Sequence, residues 1–424
     1  MHRRGKRGVS AGTLLMSVIT LMVLAGTGYL LARLSGGTDL HTLPATVLQE
    51  IPLVSGAPEA VAEIPIQPET EESTASVTSP PKGGRVALDF TGSVALETSV
   101  RQSGYHKTDG TYDFSDILLD ISSVCTGQIT TMPLENLILP SHKVSDLVAP
   151  EDVCAMLVSG GADQVTLGFS KAFDLGSEGI DTTVLSLQGA GLETMGAYRS
   201  EGDAALSQRI RSVGNLRIAF LAYTQSLSDS GKKAVRKTER SFAVPLLEQA
   251  EKDIPVVRSM GADLVVVCIH WGSVGQTSPT KAQRETAQAL ADAGADLIVG
   301  TGSRRVQTAE MIDTVRASGR AAQVLCAYDL GSLLSSSTKS GALESALLHV
   351  TCEVSAEGDV RFASITCTPT YQWRYRSGSL YVYRILRNLG EAPEEMSQGE
   401  NTKMKKAREH LETVFANTPV RIAE

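Results

Sequence analysis

Few side chains in this sequence stand where they could do chemistry. His270 is the foremost. It closes the apolar run Leu264–Ile269 and is followed by Trp271, itself a candidate for ligand binding at that strand end, and Gly272. An imidazole at a strand end is a candidate acid, base or metal ligand. It can also be a histidine held by hydrogen bonds beside Trp271. Lys171 and Arg304, both in Gly-bearing loops, could bind a phosphate, a carboxylate or an anionic polymer. They could equally be solvated charges paired with Asp174 or Glu178. Asp174, with Gly176 and Gly179, is a further candidate for a ligand site, against the reading in which the carboxylate caps a helix and the glycines permit a turn. Gln307 closes the loop Gly300–Gln307 and is a weaker candidate for the same cleft. Ser93 lies in Thr-Gly-Ser without a Gly-x-Ser-x-Gly elbow, which argues against a serine hydrolase. Gly189–Gly191 lacks the spacing of a dinucleotide loop.

The elements that must position these groups follow from periodicity. Leu264–Ile269 is β-branched and bounded by polar residues, as a buried strand is. Apolar or Ala positions at Ala282, Ala287, Leu290 and Ala291 have helical spacing, and Gly294 ends that helix. Leu297–Val299 is a second strand. Strand, helix and strand make a βαβ unit, whose ligands collect at the carboxyl ends of the strands. His270 and the Gly300–Gln307 loop both fall there. Further strands are expected from Arg85, at Gln164–Leu167, at Leu216–Tyr223 and at Val324–Tyr328. Leu347–Val354 and Val360–Thr366 read as a hairpin. Helices are expected from Pro150, near Ile180–Leu187, over 246–260 and over Lys403–Phe415. The last carries a stripe at Met404, Ala407, Leu411 and Phe415, which suits docking on the domain.

The chain has 424 residues and a formal charge of −8. That charge, with no basic patch interleaved with aromatics, argues against nucleic acid as a partner. The N-terminus begins MHRRGKR, and no charged residue occurs from Gly8 to Ala32. About 20 apolar residues span a bilayer core. The basic flank places the N-terminus inside and the bulk outside. A cleaved signal peptide is the rival, with a shorter apolar region. The expected division is a basic cytoplasmic tail (1–11), a transmembrane anchor (12–34) and a Pro/Glu/Ser-rich linker (35–84). A folded domain (85–375) and a helical extension (376–424) follow. The six cysteines include no CxxC, which excludes a zinc ribbon and a disulfide scaffold. Cys268 and Cys326 read as core residues, and Cys352 and Cys367 flank the hairpin, where pairing is open.

The order of motifs resembles the CapA family of poly-γ-glutamate capsule biosynthesis proteins, within the calcineurin-like metallophosphatase superfamily. The resemblance runs from about Arg85 to Thr370. It rests on GADLVVVCIHWG, GADLIVG, AYDLGSL, LRIAFLAYT and the Asp174-x-Gly176-x-x-Gly179 motif. It implies an α/β fold, a metallophosphatase-like two-sheet β-sandwich flanked by helices, here preceded by one N-terminal transmembrane helix. It also implies two metal ions held at strand ends. The ligand types are largely replaced. The family's Gly-Asp falls on Gly92-Ser93 and its Asn-Leu-Glu on Gln128-Ile129-Thr130. Its Asn-Asn-His falls on Phe169-Ser170-Lys171, its His-Pro-His on Gly302-Ser303-Arg304, and its last Asn on Ser332. His270 alone keeps its type. Neutral hydroxyls cannot replace carboxylates, and fixed cations at Lys171 and Arg304 repel metal. The expectation is a membrane-anchored binding or scaffold protein of capsule or envelope polymer handling, with no cofactor. Its expected partners are the membrane through 12–34 and an anionic envelope polymer or membrane-bound biosynthesis proteins. The alternative is an enzyme with a site rebuilt around His270, the one case that would need a divalent metal pair.

Overall fold

The computed structural model describes residues 83–139, 145–378 and 380–423. The expected anchor and most of the linker lie outside them. Among the described residues, no helix is long and apolar enough to cross a membrane.

Two sheets stack face to face. The smaller has six strands, in the order Ala309–Val315, Ala321–Ala327, Leu297–Thr301, Leu264–His270, Leu216–Thr224, Ile210–Val213. Its centre is parallel: Leu264–His270 pairs with Leu216–Thr224 on one side and Leu297–Thr301 on the other. Such strands are buried on both faces, which explains the unbroken apolar run. Alternate residues serve different cores. Leu264, Val266 and Cys268 face the other sheet. Val265, Val267 and Ile269 face the helices Ala250–Ser259 and Lys281–Ala293. The second helix starts on a Thr280–Gln283 capping box and stops at Gly294, whose φ of 117° a side chain would resist.

The larger sheet has eight strands. Gly84–Phe90 sits near its centre, antiparallel to Glu344–Val354 and parallel to Ile129–Pro133. Val86, Leu88 and Phe90 pack across the gap on Ile218, Phe220 and Val266. The outer face of this sheet is covered by Val153–Ser159, Gly176–Gly189 and shorter helices around Leu118, Leu157 and Ile180. The layers therefore run helix, sheet, sheet, helix, a mixed α/β arrangement.

Several expectations need correction. The 376–424 segment is more than a helical extension, because Leu380–Arg387 joins the large sheet as its edge strand. The following helix, Gln398–Phe415, does dock, burying Met404, Ala407, Leu411 and Phe415. Cys352 and Cys367 are both free. In the hairpin register Cys352 opposes Phe362 and Cys367 opposes Leu348, so the two thiols are not cross-strand neighbours. The helix Gly176–Gly189 takes Leu175 as its cap residue without a side-chain bond. Asp174 instead accepts a bond from the Ser228 hydroxyl, and Ser228 caps the next helix, Asp229–Thr238.

Candidate functional site

At the carboxyl ends of the parallel strands the two sheets part into a cleft of about 460 Å³. That is within the usual range for small-molecule sites. Its walls include Glu97, Glu135, Lys171, His270 and Arg304.

His270 arrives on the last position of its strand, paired with Thr224 and Thr301. Its Nε2 stands 3.9 Å from Glu135 Oε1, an approach too long for a hydrogen bond. Burial lowers its pKa, and Arg304 acts in the same direction against the pull of Glu135. The imidazole is therefore a neutral group near pH 7. Trp271 borders the cleft but is almost wholly buried. Its Nε1 donates to the Tyr328 carbonyl at 2.8 Å, and its ring stacks on Tyr328.

Arg304 sits between two carboxylates. Nε and Nη2 donate to Glu135 Oε2 at 3.1 and 2.6 Å, and Nη1 donates to Glu97 Oε1 at 2.7 Å. Ser336 donates its backbone N–H to the other Glu97 oxygen at 2.8 Å. Burial alone would weaken the guanidinium's charge. The two carboxylates outweigh it and raise the Arg304 pKa further. Glu97 behaves reciprocally: burial opposes its ionisation, but the bonds from Ser336 and Arg304 hold its pKa below the usual value. The backbone that delivers Arg304 is unusual, with φ at 58°, and Gly302 before it has φ at 116°. A Cβ on Gly302 would lie 2.5 Å from the Trp271 carbonyl oxygen. A ligating side chain at 302 is thus sterically barred.

The remaining candidates separate. Lys171 is exposed on the cleft wall, near Asp146 and not bonded to Asp174 or Glu178. Gln307 is buried and braces two loops, donating to the Gln276 carbonyl at 2.9 Å. Ser93 is buried on a short strand paired with Ser332, and its hydroxyl has no partner. Thr130 lies inside Ile129–Pro133, opposite Asp89. That strand ends at Pro133-Leu134-Glu135, so the strand-end Leu-Glu of the motif falls on Leu134-Glu135, five residues beyond the expected register. Glu135 and Glu97 are the site residues that sequence reasoning missed. Glu135 could have been found by matching Leu-Glu in PLENL directly, whereas nothing around Glu97 marks it.

A two-metal centre needs several carboxylates and imidazoles converging without a competing cation. Here His270 and Glu135 are the ligand types at the strand ends, and a guanidinium that cannot lose its proton occupies the space between Glu135 and Glu97. The residues present do not fit the pair of metals.

The comparisons with known proteins agree with the motif order. Residues 87–337 match the family model described as bacterial capsule synthesis protein PGA_cap. The chain belongs to that family. Among curated proteins it is 33% identical over 135 residues to the PGA biosynthesis protein CapA of Bacillus subtilis (strain 168), covering 30% of this chain and 33% of that protein. It is 30% identical over 157 residues to the capsule biosynthesis protein CapA of Bacillus anthracis, covering 36% and 38%. The matched stretches thus span just over a third, at most, of either relative. Of solved structures, the NAD nucleotidase of Haemophilus influenzae superposes with a TM-score of 0.40 at 12% identity, over 81% of this chain and 57% of that one. A hypothetical protein from Thermus thermophilus gives 0.35 at 14% identity, over 67% and 98%.

Proposed function

We propose that this chain is a membrane-anchored, outward-facing member of its family, with a metallophosphatase-like fold. It acts as a binding or scaffold component in the biosynthesis or handling of a capsule or envelope polymer. The anchor is residues 12–34, with the N-terminus cytoplasmic. The cleft is a catalytically degenerate form of a dinuclear site. One observation carries this reading: the Arg304 guanidinium bridges Glu135 and Glu97 beside His270. It supplies in fixed form the positive charge that a metal would bring.

Metal analysis of the full chain in detergent tests the reading. Substoichiometric Mn, Fe and Zn after incubation with each ion, with no phosphodiesterase turnover, is the expected result. About two equivalents, with activity lost on chelation, would sink it. A second reading, an enzyme rebuilt around His270, draws on the Glu135 Oε1 atom, which is buried beside the imidazole without a hydrogen-bond partner. Metal-independent hydrolysis abolished by His270→Ala would favour it. Protease protection of the folded part in intact cells, lost on permeabilisation, would place it inside and overturn the topology.

A further inference from the structure

The outermost strands of the two sheets each have one free side, and most of these edges are guarded. Glu193–Met195 and Ile210–Val213 are short, at three and four residues. Leu380–Arg387 carries Arg384 and Arg387, and its Ile385 N–H donates to the Ile117 carbonyl at 2.8 Å. Ala309–Val315, the remaining edge of the six-stranded sheet, has seven residues and no Lys, Arg or Pro. Bonded pairs at its two ends fix its phase: Tyr328 N–H donates to the Thr308 carbonyl at 3.2 Å, and Arg316 N–H to the Arg320 carbonyl at 2.8 Å. Glu310, Ile312 and Thr314 therefore bond to Ala321–Ala327, while Ala309, Met311, Asp313 and Val315 turn their N–H and C=O groups outward. Among the described residues, none of those four N–H groups has an acceptor. The Ala309 carbonyl accepts from the Thr308 hydroxyl at 3.5 Å, and the Asp313 carbonyl from the exposed Gln288 side chain at 3.2 Å. Each keeps a second lone pair.

Beside this edge lies a groove of about 790 Å³, lined by Met311, Val315, Val360, Phe362 and Ile365 among others. Val315 is 63% exposed. A long unguarded edge is a template for another strand, and this strand is complementary to itself. The antiparallel two-fold pairing that uses all seven residues centres on Ile312. It sets Met311 opposite the second copy's Asp313, and Ala309 opposite its Val315. Those are the outward-turned residues, so donors meet acceptors on both strands. Glu310 falls opposite Thr314, so no two like charges face each other. Glu310 is already paired with Arg284, and Asp313 accepts from Gln323 Nε2 at 3.0 Å. Opposed residues share a sheet face, so the second copy's Met311 and Val315 come to the groove side. We propose that Ala309–Val315 pairs with the same strand of a second copy of this chain, joining the two six-stranded sheets into one. The proposal does not depend on the chemistry of the cleft.

Sedimentation equilibrium of the full chain in density-matched detergent should show a reversible monomer–dimer equilibrium. Met311→Pro removes an outward N–H and no ladder bond of the monomer. The variant should keep the parent's circular dichroism spectrum while its dimer dissociation constant rises by about tenfold or more. Hydrogen exchange on the parent gives a second measurement that needs no variant. The amides of Ala309, Met311, Asp313 and Val315 should exchange slowly in concentrated protein and fast on dilution, whereas those of Glu310, Ile312 and Thr314 stay slow in both. Should Met311→Pro lose the parent's spectrum, the exchange result decides alone. A monomer at every concentration, or a dimer as tight in a folded Met311→Pro as in the parent, would overturn the proposal. So would fast exchange at the four outward amides in concentrated protein. Slow exchange there that dilution leaves unchanged would mean that another stretch of the same chain pairs with the edge, and would overturn it too.

Discussion

Arg304 and Glu135 are joined by two hydrogen bonds to a single carboxylate oxygen, Oε2, at 3.1 and 2.6 Å. The other oxygen, Oε1, is left facing His270 at 3.9 Å. Glu135 is thereby divided: one half neutralises the guanidinium, the other keeps its lone pairs toward the cleft. The side chains are 24% and 9% exposed, so the pair is largely desolvated. Removing one partner from such a pair strands the other's charge.

Arg304→Ala should therefore destabilise the fold by about 3 kcal/mol, because both Glu135 and Glu97 lose their counter-ion. Adding Glu135→Gln should recover part of that loss, a coupling that a double-mutant cycle in urea reads directly. Additive single effects would mean that the bridge is weak.

Asp329 gives a pH dependence. It accepts the Ser303 N–H at 2.7 Å and the Gly331 N–H at 2.8 Å, holding the loop that carries Arg304. Burial pushes its pKa up to about 8, against those two donors. A carboxyl raised in the folded state binds more protons there than in the unfolded chain. Its contribution is full below the unfolded value and is lost as pH rises from about 4 through 8. Melting temperature should fall across that window in the parent by more than in Asp329→Asn, measured in matched buffers. Identical pH profiles would remove Asp329 as the cause.

His270 should titrate below the ordinary histidine range by NMR, since burial disfavours its charged form. Glu135→Gln should lower it further by removing the one nearby negative charge that favours protonation. A His270 titration at or above the ordinary value would contradict the desolvated geometry.

All six thiols are free. Burial pushes the thiols of Cys125, Cys154, Cys268 and Cys352 up to about 12, and inert thiols follow. A thiol reagent should label the native chain slowly, beginning with the half-buried Cys125, and all six sites at once on unfolding. A mass lowered by two hydrogens before reduction would reveal a disulfide and contradict the free state of the six thiols.

Much of the scaffold around the cleft was legible because its signals are local. The run Leu264–Ile269 is buried on both faces, and Gly294 fills a left-handed cap that few other residues tolerate. The docking of the last helix could be read from Met404, Ala407, Leu411 and Phe415 for the same reason. The helix Asp229–Thr238 was missed because it is almost wholly polar and buries only Gly231, leaving no apolar stripe to find. The edge strand Leu380–Arg387 was missed because its pairing with Val360–Ser377 decides its state. The cleft was only half legible. His270 announces itself at a strand end, but Arg304 gains its meaning from Glu135 and Glu97, 169 and 207 residues earlier. No spacing rule reaches across such intervals.

The first described strand carries a consequence for how the chain folds. Leu88 lies between Ile129 on one side and Val350 on the other. The antiparallel neighbour is more than halfway along the chain's length away, so the large sheet stays open-edged until nearly everything has been synthesised. Closing that gap costs entropy before any ladder hydrogen bond compensates it. The βαβ unit from Leu264 to Thr301, whose partners are close in sequence, can form earlier. The parallel half of the large sheet, from Gly84–Phe90 through Ile129–Pro133 to Glu193–Met195, is equally local, so it is the antiparallel edge of Gly84–Phe90 that waits unpaired for Glu344–Val354, and an unpaired edge is a template for aggregation.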